Sequence, residues 1–61
     1  MQNIVDALNN LKSKVDTEIT LRQAANQEFS NGIKNGVMKQ AHDRSIEQVV
    51  EASKNLIAIS G

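Results

Sequence analysis

The sequence predicts an all-α fold, an antiparallel helical hairpin that dimerises into a four-helix bundle. Apolar residues recur at steps of three and four on both sides of one central segment, and this is the spacing of a helix face. Helix breakers are scarce, because the chain has no Pro and only 3 Gly, two of them in that central segment. The chain has 61 residues and no Cys, so a single hairpin would have a small core and no disulfide to support it.

The first helix is predicted over residues 3–30. Its stripe contains residues that stand three or four positions apart: Ile4, Leu8, Leu11, Val15, Glu18, Arg22, Ala25 and Phe29. Glu18 and Arg22 are in the order that favours an ion pair along a helix. Phe29 is the only aromatic residue, and we expect it to fill the space between the helices because so small a core can hardly leave it out. The alternative for Phe29 is an anchor inserted into a partner protein.

One stretch could interrupt the first helix near residues 16–20. Four residues there alternate with a period of two, as in a strand: Val15, Thr17, Ile19 and Leu21. Thr20 followed by Gln23 also matches the capping box of a helix start, and Ser45 followed by Gln48 does so in the second half. An interrupted, three-helix fold is therefore the alternative to the simple hairpin.

The turn is predicted at residues 31–36, a segment with two Asn-Gly pairs. Gly32 suits the end of the first helix, because glycine adopts positive φ without strain. Asn35 suits the N-cap of the next helix, because its side chain can accept a hydrogen bond from the first backbone N–H groups.

The second helix is predicted over residues 37–59. One stripe should pack on the first helix: Met38, His42, Ser45, Val49, Ala52, Leu56 and Ile59. The expected contacts within the hairpin join Ile4, Leu8, Leu11 and Val15 to Val49, Leu56 and Ile59. A second stripe beside it contains Ile46, Val50 and Ile57. Because one antiparallel neighbour covers only a narrow seam, we expect these three residues to contact a second copy of the chain or a partner protein.

Self-association also follows from the length of the chain. At this size folding removes only about 60% of the surface that the unfolded chain exposes. There is no Cys to form a disulfide, and a single His makes an all-protein zinc site unexpected. We therefore expect a homodimer, with no metal and no cofactor.

No catalytic residue is predicted. His42 is the only His, and Ser45 follows it by three positions, which would suit a base acting on a hydroxyl. A working triad also needs a group that orients the imidazole, and the adjacent Asp43 points to a different face of the helix. We therefore expect no enzyme activity and interpret His42 as a seam histidine with a local hydrogen bond.

The charged residues supply candidate partner contacts. Asp43, Glu47 and Glu51 share one helix face, which is either solvated or a contact surface. Lys34, Lys39 and Arg44 lie around the turn and the start of the second helix. The 7 basic and 7 acidic residues give a net charge of zero, and one aromatic residue offers no stacking platform, so nucleic-acid binding is not expected.

These observations predict a small, non-catalytic adaptor or inhibitor that occupies a surface on a larger protein. The longest apolar run, Leu56–Ile59, is too short to span a membrane, and the first residues lack the basic segment of a signal peptide, so a cytoplasmic location without membrane contact is expected. Short, neutral chains without Cys are typical of the regulatory proteins of bacteria and phages. The alternatives are a dimeric nucleic-acid-associated regulator and a structural or assembly scaffold.

Overall fold

Two antiparallel helices make up the part of the chain that the structure describes. In this computed structural model, residues 3–61 are described; α1 runs over Ile4–Ser30 and α2 over Val37–Ser60. The Cα atoms extend over 45 × 14 × 14 Å, so the hairpin is a rod. The predicted fold class, an all-α helical hairpin, is confirmed. Dimerisation into a four-helix bundle stays a prediction.

α1 is continuous from Ile4 to Ser30, so the alternative of a helix interrupted near residues 16–20 is excluded. The hydroxyl groups of Thr17 and Thr20 donate to the backbone oxygens of Ser13 and Asp16 at 3.0 and 3.1 Å. These bonds satisfy the hydroxyl groups of the two threonines, so both β-branched residues fit inside the helix. Asn3 is the N-cap of the helix, because its Oδ1 accepts from the backbone N–H of Asp6 at 2.8 Å.

Gly32 ends α1, as predicted. Its φ is +87°, its N–H donates to the oxygen of Phe29 at 3.0 Å, and the N–H of Ile33 donates to the oxygen of Glu28 at 2.9 Å. This pair of bonds defines a Schellman motif, in which a glycine in the left-handed region satisfies the last helix carbonyls.

The start of α2 differs from the prediction. Gly36, and not Asn35, is the N-cap, and it has no side chain to accept a hydrogen bond. The acceptor comes instead from α1, because Glu28 Oε1 accepts from the backbone N–H of Lys39 at 3.2 Å. The carboxylate lies so close to Gly36 that a Cβ there would collide with it. Glycine at residue 36 therefore leaves room for this anion at the helix N-terminus, where the helix dipole favours a negative charge.

Replacing Glu28 with Ala is expected to lower the free energy of unfolding by about 1 kcal/mol, the usual effect of losing a helix cap. Urea unfolding followed by circular dichroism measures it. Glu28→Gln keeps an oxygen acceptor and should lose less, and Gln27→Ala, at an exposed position, is the matched control. Equal stability of Glu28→Ala and the parent would mean that the cap contributes nothing.

The helices meet along a seam with the alternating three and four steps of a coiled coil. On α2 the seam is the predicted stripe, and all seven of its residues are buried or half-buried: Met38, His42, Ser45, Val49, Ala52, Leu56 and Ile59. On α1 the seam is Ala7, Leu11, Lys14, Glu18, Leu21, Ala25 and Glu28. The α1 stripe was therefore predicted correctly at Leu11, Glu18 and Ala25, whereas its other members lie beside the seam or are exposed.

Phe29 is 71% exposed, so its predicted place between the helices is wrong. The seam position at that level belongs to Glu28, whose carboxylate is held at the start of α2. Turning residue 28 inward rotates residue 29 by about 100° away from the neighbouring helix. Ile4 and Leu8, expected to pack on α2, are exposed as well.

Candidate interaction surface

The hairpin has two broad faces, and helix geometry decides which residues share one. Each residue is rotated by about 100° from the one before it, and because the helices are antiparallel, the residue after each seam position turns to the same side of the hairpin on both helices. The residue before each seam position turns to the other side.

One side is apolar, and we call it the apolar face. It contains Val5, Leu8, Val15 and Ile19 from α1 and Ile46, Val50 and Ile57 from α2. Six of these seven are exposed, from 38% at Ile19 to 67% at Ile57, and Val15 is half-buried. The structure therefore places the three predicted contact residues of α2 outside the intrachain seam and side by side with an apolar row of α1.

The opposite side is polar, and we call it the polar face. Two open grooves run along it, and most of their lining is polar, including Asn10, Ser13, Lys14, Thr17, Arg44, Gln48, Glu51 and Asn55. These lining residues come from both helices, which confirms independently that the rows before the seam positions lie together. The contrast between the two faces is one of composition, since both have the same length and width.

The sequence analysis missed the α1 half of the apolar face. Leu8 was assigned to the seam, and the alternation of Val15 and Ile19 was interpreted as a sign of a strand. The signal was present, because Val5, Leu8, Val15 and Ile19 stand at steps of three, seven and four, a spacing that keeps residues on one helix face.

The predicted charged contacts are divided between the faces. Lys39 Nζ pairs with Asp43 at 3.2 Å, and both residues lie at the end of the apolar face nearest the turn. Arg44, Glu47 and Glu51 line the larger groove of the polar face. Lys34 lies in the turn itself, so the three basic residues do not form one patch.

A polar cluster lies inside the seam, where Glu18 faces His42. The two side chains are each 17% exposed, and His42 Nε2 donates to Glu18 Oε2 at 2.6 Å. Arg22 donates to both oxygens of the same carboxylate, from Nε at 3.0 Å and Nη2 at 2.9 Å. The hydroxyl of Ser45 donates to the backbone oxygen of His42 at 2.6 Å, so the Ser45 hydroxyl and the imidazole do not bond to each other.

The hydrogen bond from His42, and then that from Arg22, holds the pKa of Glu18 below its usual range. Because the folded state then binds fewer protons than the unfolded state, stability is lost as the pH falls below the usual glutamate pKa of about 4.3. We expect Glu18→Gln to remove part of this loss when the free energy of unfolding is measured between neutral pH and pH 3. Glu51→Gln, on the polar face, should leave the acid dependence nearly unchanged. Identical curves for the parent and Glu18→Gln would contradict the assignment.

Within residues 3–61, no group of three or more His, Asp or Glu side chains is arranged to hold a metal ion. Over the same residues, neither helix combines the length and apolar character that a membrane crossing requires. Comparison of the chain with protein-family models, with curated proteins and with solved structures gives no match.

Proposed function

We propose that this chain is a non-catalytic protein-binding adaptor or inhibitor that works as a homodimer. Two hairpins pack through their apolar faces into a four-helix bundle, and the bundle occupies a surface on a larger protein. The observation that supports this proposal is the placement of the large apolar side chains. Over residues 3–61 the buried apolar residues are Ala7 and Ala52, whereas ten large apolar side chains are exposed.

Surface area supports a second copy on the apolar face. The accessible surface is 4586 Å², whereas a compact monomer of 6.7 kDa has about 3,900 Å². The excess of about 700 Å² is close to the roughly 800 Å² that each partner loses in a stable interface. Covering the apolar face would therefore give this chain the buried surface of an ordinary small domain.

The turn is the part of the bundle best suited to the larger partner. Phe29, Ile33 and Val37 are 71%, 48% and 70% exposed, and all three lie at or beside the turn. Aromatic side chains with a large exposed area contribute strongly to protein interfaces. Phe29 is thus proposed as an anchor for the partner, with Lys34 beside it as a polar contact.

The first test is the mass in solution by sedimentation equilibrium, with helicity followed on the same dilution series. We expect a closed dimer that loses helicity as it dissociates. Val50→Glu should make the chain monomeric at concentrations where the parent is dimeric, because it puts a charge into the interface. Gln48→Glu, on the polar face, should remain dimeric. A folded monomer at every concentration would overturn the dimer, and open-ended oligomers would favour the scaffold alternative.

The partner surface is tested by placing a photoreactive amino acid at Phe29 in the producing cell. We expect one discrete cross-linked product that is absent when the same group replaces Thr20, in the middle of α1. No product at Phe29 would contradict the turn as the partner site. Salt-sensitive binding of the dimer to duplex DNA would favour the nucleic-acid alternative instead.

A further inference from the structure

We infer that the two hairpins pack with their turns at the same end of the bundle, so that α1 of each copy lies on α2 of the other. This inference rests on the proposed dimer and names its arrangement. Two arrangements bring apolar faces together: a two-fold axis along the bundle places both turns at one end, and an axis across it places them at opposite ends. The order of apolar and charged residues along the apolar face distinguishes these two arrangements.

The apolar face is uneven along its length. The contact between Glu18 and His42 sets the register of the antiparallel helices, and places Leu8 near the level of Ser53 and Val15 near the level of Ile46. Six of the seven apolar residues then lie in the half of the face that is far from the turn, and Ile19 lies just past its middle. The end near the turn carries Phe29 and the charged residues Arg22, Lys39 and Asp43, and these charges are already paired within the hairpin.

With the turns at the same end, apolar residues meet apolar residues in the half of the face that is far from the turn. Val5 lies over Ile57 of the second copy, Leu8 over its Val50, and Val15 over its Ile46. Near the turns, Arg22 lies over Lys39 of the second copy, and each of these charges is already paired within its own hairpin. Lys12 is the charged side chain that lies among these apolar residues, and its ammonium is drawn outward by Asp16 at 2.9 Å while its stem covers apolar surface.

With the turns at opposite ends and the hairpins fully overlapped, several of the apolar residues meet a charge. Leu8 would face Arg22 of the second copy, Val50 would face its Lys39, and Ile46 would face its Asp43. Desolvating these charges without new partners is unfavourable. Sliding the copies to overlap only their apolar halves leaves part of each hairpin uncovered and brings Ile57 level with Lys39 of the second copy. The same-end arrangement overlaps the hairpins over their full length and still joins Val5, Leu8 and Val15 to apolar residues of the second copy.

This arrangement can be tested with spin labels, because the chain has no Cys of its own. Lys34→Cys places a label at the turn and Ser60→Cys places one at the far end; both positions are exposed. Distances between labels are measured by pulsed electron resonance in three samples: Lys34→Cys alone, Ser60→Cys alone, and a mixed dimer with one of each. Circular dichroism confirms that each labelled chain is folded.

Same-end packing predicts short distances, below about 30 Å, in both single-variant samples, because packed helices are only about 8–10 Å apart. The mixed dimer should then give a distance near the 45 Å length of the hairpin. Opposite-end packing predicts the reverse, a long distance in each single-variant sample and a short one in the mixed dimer, and would overturn the inference. A monomeric mass with no coupling in any sample would overturn the proposed dimer as well, so the two failures are distinguishable.

Discussion

Replacing Leu56 with Asp is expected to unfold the hairpin at every protein concentration. Leu56 is a half-buried seam residue of α2, and losing a leucine from a packed site typically costs about 2–5 kcal/mol. The new carboxylate also loses hydration without gaining a partner. A core of this size rarely supplies more than about 3–5 kcal/mol, so the variant has little stability left. The measurement is helicity by circular dichroism over a dilution series.

The matched control for this change is Ala58→Asp, two residues further along α2. Ala58 is exposed, so the same new charge should reduce helicity only slightly. A Leu56→Asp chain that kept the helicity and cooperative unfolding of the parent would mean that the seam of α2 is assigned wrongly.

Replacing Ala7 with Leu is expected to lower the free energy of unfolding by about 1–3 kcal/mol, the usual effect of adding methylene groups to a tightly packed site. Ala7 is 0% exposed and Ala52 is 4% exposed, and the register of the helices places both at nearly the same level. Two small residues there allow the backbones to approach closely. A larger side chain on either helix would push them apart.

Urea unfolding of Ala7→Leu measures this effect, with Ala58→Leu as its control. Leucine is nearly as good a helix former as alanine, so the control at an exposed position should be close to neutral. An Ala7→Leu chain as stable as the parent would show that the helices do not approach each other closely at this level.

The sequence was sufficient for the seam of the second helix and for the end of the first helix at Gly32, and insufficient for the cap of the second helix and the orientation of the first. The α2 stripe stands out because its residues are mostly apolar at the seam spacing, and Gly32 supplies the conformation that ends α1. On α1, two adjacent rows have equally regular spacing. The choice between Glu28 and Phe29, or between Ala7 and Leu8, depends on contacts with α2 that are distant in sequence.

For a related reason, the sequence predicted only the α2 half of the apolar face. Ile46, Val50 and Ile57 form a second stripe that is visible within one helix. The matching row on α1 becomes a surface only when the seam is known, because the side to which Val15 and Ile19 turn depends on which neighbouring row is inward. The division of the basic residues between the two faces likewise follows from the rotation of α2.

The carboxylate of Glu28 joins the last turn of one helix to the first turn of the next. The N–H of Lys39 is 11 positions away along the chain, so its acceptor is in place only when the two helices have docked. The first turn of α2 should therefore open and close together with the last turn of α1, as one local unfolding unit. The amide protons of these two helix turns would then exchange with solvent at linked rates. A partner bound at the turn would slow the exchange of both sets of amide protons.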